Sequence, residues 1–319
     1  MSQPLDRAFA LEAVRVTEAA AMAAFYQIGR GDEHAADHAA VEAMRTAFNI
    51  MPISGTVVIG EGERDEAPML YIGEKVGYGG IAVDIALDPL EGTTLTAKAL
   101  PNALAVMAMA EPGTLLNAPD TYMDKIAIGP GYAEGTIDLD ADPAENIVSL
   151  AKAKGVKPNE ITALVLDRPR HATIIERVRK AGAAVQLITD GDVAGVIATT
   201  DPMTGIDIYL GQGGAPEGVL AAAALRCVGG QIQTRLVFKK DDERVRAAKL
   251  GITDFNKKYS LHDLASGDVI FSATGVTDGS MLSGVHMRDG YIMTESVVMR
   301  SATGTVRWIK GRHRRKDTR

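Results

Sequence analysis

The chain has 319 residues, enough for one large domain or two of ordinary size, and 46% hydrophobic against 5% aromatic residues suits a core of Ala, Val, Ile and Leu. A formal net charge of −7 argues against general nucleic-acid binding, and no segment approaches the ~20 uninterrupted apolar residues of a membrane span. The single Cys227 excludes an internal disulfide, and the opening MSQPLDRAF lacks the basic leader of a secretory signal, so a cytoplasmic protein is expected.

In chain order, Leu5 to Gly31 reads as an Ala-rich amphipathic helix closed by Gly29 and Gly31. Asp32 caps a second helix through about Asn49, packing on Ala36, Ala40, Ala43, Met44 and Ala47. Asp37 lies early in that helix, between His34 and His38, which read as surface histidines. Ser54 to Gly60 forms the first strand and runs into Gly60-Glu61-Gly62-Glu63-Arg64-Asp65-Glu66-Ala67-Pro68, whose alternating glycines and glutamates suit neither helix nor strand. Ile81 to Leu87 is a buried strand that ends in Asp88-Pro89-Leu90-Glu91-Gly92-Thr93, because Pro89 cannot continue the ladder and Gly92 admits a left-handed backbone. Another apolar strand spans Ala103 to Ala110, and Tyr122-Met123-Asp124-Lys125 leads into a strand at Ile126 to Ile128. A helix from Pro143 stops at Gly155, and a lobe boundary near it divides the chain into 1–150 and 151–319.

The second half alternates strands and helices. Strands at Ile161–Leu166, Ala184–Thr189, Ile206–Leu210 and Ile232–Phe238 are separated by helices from Ala172, Val193 and Glu217. That order predicts a mostly parallel sheet beside an α+β N-terminal lobe, an α/β protein overall. A short helix follows at Ser260–Ala265 and a strand at Val269–Ser272, after which Gly284–Met287 and Tyr291–Met299 pair across Arg288-Asp289-Gly290. Thr305–Lys310 is the last strand, and the basic run from Lys310 to Lys316 reads as a solvated tail.

Two groups carry chemistry. The loop after Leu87 offers two carboxylates, Asp88 and Glu91, then backbone N–H groups and the Thr93 hydroxyl, the parts of a metal-assisted phosphate site. In the parallel sheet the loops after successive strands share one edge, and they read Asp167-Arg168-Pro169-Arg170-His171, Asp190-Gly191-Asp192 and Gly211-Gln212-Gly213-Gly214-Ala215-Pro216-Glu217-Gly218. Arginines clamp phosphate bidentately, aspartates hold sugar hydroxyls, and glycines let a ligand approach the backbone, which is the composition of a polyol-phosphate site.

Asp88 to Thr93 resembles the D-P-[IL]-[DE]-G-[ST] signature of the lithium-sensitive, metal-dependent sugar phosphatases. The Glu91 variant, with stretches similar to I-G-E-G-E-x-D-E-A-P, D-x-P-R-H, D-G-D-V-A and G-x-G-G-A-P-E-G, resembles the class II fructose-1,6-bisphosphatase branch over roughly Leu5 to Lys310. The resemblance implies the sugar phosphatase fold of layered helices and sheets, and an assembly of two or four copies. It makes Asp37, in GDEHAADHAAVEAM, a metal ligand, and Glu61 a ligand or the group that orients the attacking water. It makes Tyr122 a contact of the sugar bisphosphate, and Glu217 a ligand to a metal shared with the central loop.

Five acids, Asp37, Glu61, Asp88, Glu91 and Glu217, persist together only if protons or cations neutralise them, since two carboxylates ~4 Å apart repel by about 4 kcal/mol at an effective dielectric of 20. Without soft ligands, Mg²⁺ or Mn²⁺ is the expected cofactor. The resulting expectation is hydrolysis of the 1-phosphate of fructose 1,6-bisphosphate, a step of gluconeogenesis. Asp88, Glu61 and Thr93 act on the reacting centre, Gly92 and Thr93 hold the phosphate, and Glu91, Arg168, Arg170, Asp190, Gly191, Asp192 and Gly214 line the substrate. Sedoheptulose 1,7-bisphosphate is the alternative substrate, and a non-catalytic sugar-phosphate-binding regulator the alternative class. An inositol monophosphatase is disfavoured because Ile309, not an aspartate, follows the only tryptophan, Trp308. A dinucleotide enzyme is disfavoured because no G-x-G-x-x-G follows a strand in the second half.

Overall fold

The computed structural model describes residues 5–62 and 69–315. In chain order it begins with α1 (Phe9–Phe25) and α2 (Glu33–Asn49), the second capped by Asp32, whose carboxylate accepts the Ala35 N–H at 2.9 Å. Strands β1 (Ile53–Ile59), β2 (Lys75–Val76) and β3 (Ile81–Glu91) lead to a one-turn α3 (Thr93–Ala97) and β4 (Leu104–Ala110). A second unit then runs through β5 (Tyr122–Ile128), α4 (Pro143–Lys154), β6 (Thr162–Leu166), α5 (Ala172–Lys180), β7 (Ala184–Ile188), α6 (Asp192–Ala198), β8 (Ile208–Gly214), α7 (Ala215–Val228), β9 (Gln231–Val237), α8 (Asp241–Lys249), β10 (Tyr259–Ser260) and α9 (Leu261–Leu264). The chain returns to the first unit with β11 (Val269–Gly275), β12 (His286–Arg288), β13 (Tyr291–Arg300) and β14 (Thr305–Arg314).

The two compact units are therefore 1–115 with 267–319, and 116–266. The boundary expected near Gly155 falls inside the second unit, at the end of α4, where Gly155 in the left-handed conformation (φ 74°) terminates a helix. A helix stop marks the end of an element, not of a core, and β11 pairs along its length with β4, joining the C-terminal strands to the first unit.

In the first unit an eight-stranded sheet runs β12-β13-β11-β4-β3-β1-β2, with β14 also on β13. Alternate residues Ile85, Leu87, Ala105, Met107, Met109, Ile270 and Val298 share one core with the small apolar face of α1 (Ala13, Val14, Ala20, Ala21, Ala24) and with Ala36, Ala40, Met44 and Phe48 of α2. Small residues on α1 let the helix lie close to the sheet.

The second unit's sheet runs β10-β9-β5-β8-β6-β7. Only β7, β6 and β8 are parallel; β5 is antiparallel to both β8 and β9, so the mostly parallel expectation holds for three strands. The last expected parallel strand, β9, instead pairs antiparallel to β5 and to the short β10. The α/β class stands, with Ile147, Leu150 and Val178 of α4 and α5 packed on Ala163, Val165 and Ile208. Among the described residues no helix is long and apolar enough to cross a membrane.

Candidate active site

In the first unit the site is built at the end of β3. The ladder between β3 and β4 is regular from Asp84↔Ala110 to Asp88↔Val106, skips Pro89, and resumes at Glu91↔Leu104. Proline's missing N–H makes the irregularity, while Asp88 closes it by accepting the Leu90 N–H at 3.0 Å. The strand thus continues past Leu87 to Glu91, four residues beyond its expected end. Asp88 is half-buried and Glu91 buried.

Gly92 then caps α3 at φ 94°, and a Cβ there would lie 2.8 Å from Leu95 Cδ1, so only glycine makes this turn without strain. Thr93 opens α3 half-buried, as the turn chemistry predicts. The N–H groups of Gly29 and Gly31 donate to the carbonyls of Thr96 and Ala97, each at 2.9 Å, which docks the α1–α2 connection onto α3. Asp37 is half-buried on the neighbouring α2, and burial pushes its carboxyl above the usual range, with His34 and His38 opposing. Glu61 is half-buried beyond β1 and held by its N–H donating to the Leu70 carbonyl at 3.1 Å. Glu63, Asp65 and Glu66 lie outside the described residues.

The second unit's parallel strands bring the three predicted loops to one edge, and their register explains why. Because β5 is antiparallel to β8 and β9, its first residue, Tyr122, faces Gly214 on one side and Val237 on the other. Arg170 therefore lies 5.1 Å from the centroid of the Tyr122 ring, and Lys239, just past β9, 3.5 Å from it. Arg170 also donates from Nε and Nη2 to the Gln212 carbonyl, at 3.2 and 2.8 Å. Arg168 donates to its neighbour, the Asp167 carbonyl, at 3.3 Å. Asp190 accepts the Gly191 N–H at 3.1 Å, and Gly191 (φ 88°) starts α6, whose first residue is Asp192.

The glycine-rich segment expected as a loop is instead the end of β8, Gly211 pairing with Lys125 and Gly213 with Met123. Side chains from its neighbours fill the space that its own would take. A Cβ on Gly213 would collide with the Asp192 carboxylate, one on Gly214 with that of Glu217, and one on Gly218 with Met123. The glycines thus make room for charged groups of the protein itself.

Those groups are Asp192, Glu217 and a residue that sequence reasoning missed. Lys125, 2% exposed, forms a buried salt bridge with Asp192. Glu217, at the third position of α7, is half-buried, but its Oε2 is itself buried and has no hydrogen-bond partner among the described residues. Burial first, and then the charge of Asp192, pushes its carboxyl up to about 7 against the pull of Lys125. His171 was also missed as a site residue. It is buried, its Nδ1 lies 2.7 Å from the Leu166 carbonyl, and its Nε2 accepts the Gln212 N–H at 2.9 Å, so it is neutral and pins the arginine loop to β8. Only strand alternation, which turns Lys125 inward, could have signalled the lysine.

These donors are all hard oxygens, and a buried carboxylate oxygen without a donor is the chemistry a hard cation satisfies. Among the described residues, however, no three His, Cys, Asp or Glu side chains converge closely enough to enclose an ion.

An α/β chain with paired carboxylates and a threonine at a strand-to-helix turn, and an arginine-lined edge in its second sheet, belongs among the sugar-phosphate hydrolases. The family model described as bacterial fructose-1,6-bisphosphatase, glpX-encoded, matches residues 7–313, and the chain belongs to this family. It is 46% identical over 324 residues, 97% of this chain and 96% of the relative, to a protein of Escherichia coli K12 named fructose-1,6-bisphosphatase 1 class 2. Proteins named fructose-1,6-bisphosphatase class 2 from Escherichia coli O6:H1 and Shigella flexneri align with the same identity and coverage.

Proposed function

We propose that the protein hydrolyses the 1-phosphate of fructose 1,6-bisphosphate, releasing fructose 6-phosphate and phosphate. Family membership across the whole fold, with the Asp88–Thr93 turn intact, carries this reading. The N–H groups at the start of α3 would receive phosphoryl oxygens, and the Thr93 hydroxyl would orient the attacking water with Glu61. In the second unit Arg168, Arg170 and Tyr122 would hold the phosphate that is not cleaved, joined by Lys239. Asp190, Gly191, Asp192 and Gly214 would border the sugar, Asp192 being fixed by Lys125. Asp37, Glu61, Asp88 and Glu91 of the first unit and Glu217 of the second are the residues proposed to hold Mg²⁺ or Mn²⁺. Bound there, such an ion supplies polarisation of the phosphoryl group and neutralisation of the leaving oxygen.

The test is phosphate release from fructose 1,6-bisphosphate, sedoheptulose 1,7-bisphosphate, glucose 6-phosphate and an inositol monophosphate, with and without Mn²⁺. Metal-dependent preference for fructose 1,6-bisphosphate is expected. Equal turnover of glucose 6-phosphate would overturn the second-phosphate site, and preference for the seven-carbon substrate would reassign the enzyme. A homodimer or homotetramer is proposed from the family resemblance, and a cytoplasmic location from the single cysteine; light scattering after size-exclusion chromatography tests the assembly.

A further inference from the structure

Most edge strands of the two sheets are guarded against pairing with another chain. β2, β10 and β12 are only two or three residues long. β14 is longer, but it carries Arg307, Lys310, Arg312, His313 and Arg314. The basic run expected as a tail is thus a charged edge, paired residue for residue with β13 from Tyr291↔Arg314 to Arg300↔Thr305. β7 differs. It ends the second unit's sheet, reads Ala184-Val185-Gln186-Leu187-Ile188, and has neither a charge nor a proline. Among the described residues no other edge strand longer than three residues lacks such a guard. None of its five residues is buried, and Leu187 is 39% exposed.

β7 pairs with β6 alone, in parallel register from Thr162↔Ala184 to Leu166↔Ile188. The Ala184 N–H donates to the Ile161 carbonyl at 2.9 Å, and the Ile188 carbonyl accepts the Asp167 N–H at 2.7 Å. The even-numbered residues therefore turn their backbone groups toward β6. Successive residues of a strand turn theirs to opposite edges, so those of Val185 and Leu187 point outward, where no strand of this chain pairs. Side chains alternate as well. Val185 joins Ile174, Ile175 and Val178 of α5 in the second unit's core, whereas Leu187, on the same face, remains exposed.

This strand is complementary to its own reverse. Set antiparallel about a two-fold axis at Gln186, each Val185 opposes the partner's Leu187 and each Ala184 the partner's Ile188. Every opposed pair is apolar except the two glutamines, which meet amide to amide. The outward N–H and C=O groups of Val185 and the partner's Leu187 then bond each other, as the ladder requires. Arg179 and Lys180 precede β7 and Asp190 follows it, so antiparallel copies set opposite charges at each end. We propose that β7 is an interface with a second copy of this chain, joining their second-unit sheets into one. The proposal rests on the assembly put forward above and assigns it a surface. A pair of five-residue strands falls short of the ~1,000 Å² of a lasting interface, so α5 takes part as well. The axis keeps both α5 helices on one face, where the partner's Leu187 lands beside Val185 and is covered. Because Ile188 holds the Asp167 N–H and leads to Asp190, the pairing also braces the substrate loops of both copies.

The experiment uses the full chain. In a non-hydrogen-bonded antiparallel pair the Cα atoms lie about 4.5 Å apart, within the ~4.4–6.8 Å that a disulfide spans. Gln186→Cys should therefore link two chains on oxidation with diamide, read on non-reducing gels. Leu187→Cys, offset along the strand from its own copy, should link no faster than Met203→Cys, which is 91% exposed and measures chance collision. The parent's single cysteine, Cys227, is buried and sets the blank. Leu187→Lys puts on this edge the kind of charge that guards β14, and should halve the mass found by light scattering with circular dichroism unchanged. A Gln186→Cys protein that links no faster than Met203→Cys, or a Leu187→Cys protein that links as fast as Gln186→Cys, overturns the pairing. An assembled parent whose mass Leu187→Lys leaves intact overturns β7 as the interface while the assembly itself stands. A parent that is monomeric at every concentration overturns both. Should Leu187→Lys fail to fold, the rates of the three cysteine proteins still separate these outcomes, and none depends on which bisphosphate the enzyme hydrolyses.

Discussion

Glu217→Gln separates a metal ligand from a carboxylate that merely starts a helix. In the folded, metal-free protein the Glu217 carboxyl is raised from 4.5 to about 7, mostly by burial and then by Asp192. At ~1.4 kcal/mol per unit, ionising it in place costs on the order of 3 kcal/mol. The folded state holds this proton more tightly than the unfolded chain, so the group's contribution falls as pH rises from 4.5 to about 7 and is fully lost above that. Glutamine is neutral at every pH. In EDTA the variant should therefore match the parent below pH 4.5 and exceed it at pH 8 by on the order of 2–3 kcal/mol in urea unfolding. At pH 8 the same variant should need far more Mn²⁺ for half-maximal turnover, because the ion, and no longer a proton, would satisfy Oε2. A helix-dipole role predicts the reverse, a loss of roughly 0.3–1 kcal/mol with normal metal dependence. A metal-free variant no more stable than the parent at pH 8 would refute the electrostatic account; unchanged metal demand would refute the ligand role.

Chelation should abolish phosphate release without unfolding the protein by circular dichroism, and Mg²⁺ or Mn²⁺ should restore it; full activity in EDTA would end the metal assignment. Arg170→Ala should raise KM for fructose 1,6-bisphosphate by about ten- to a hundredfold, the loss of a charge-assisted contact, with kcat less affected; equal losses in both would move Arg170 to the reacting centre. Lys125→Met should destabilise the fold by about 3–5 kcal/mol by leaving Asp192 buried and unpaired, and a urea midpoint near that of the parent would contradict the buried pair. Gly214→Ala should lower both stability and activity, since its methyl group would meet the Glu217 carboxylate; kinetics and melting unchanged from the parent would show that the carboxylate has room to move.

Features coded within a few residues were legible from sequence. The cap at Asp32, the helix stop at Gly155 and the turn at Asp289-Gly290, with φ of 50° and 76°, depend on local chemistry and stand where expected. The turn at Gly92 was equally legible, because a proline, a glycine and a threonine in that order leave the backbone few choices. What depended on pairing between distant strands was not. Nothing local in Val269–Gly275 says that it joins β4 rather than the second sheet, and nothing in Gln231–Val237 says that it runs antiparallel to β5. The glycine run misled for a specific reason. Gly211 to Gly214 has the composition of a loop, yet it is a strand whose missing side chains are replaced by Asp192 and Glu217.

The same replacement resolves an apparent conflict between a net charge of −7 and an anionic substrate. Coulomb energies scale inversely with distance and dielectric, so a site responds to charges within a few ångströms and not to the total. Within the second unit Lys125 neutralises Asp192 inside the core, while burial raises the Glu217 carboxyl to about 7, so that near neutral pH a bound proton offsets part of its charge. Arg170 and Lys239 meanwhile lie around the Tyr122 ring, at the edge where the sheet presents its loops. The acids are thus compensated in the interior and the permanent cations are left at the rim. A phosphate approaching that rim meets positive charge first, whatever the sign of the whole chain.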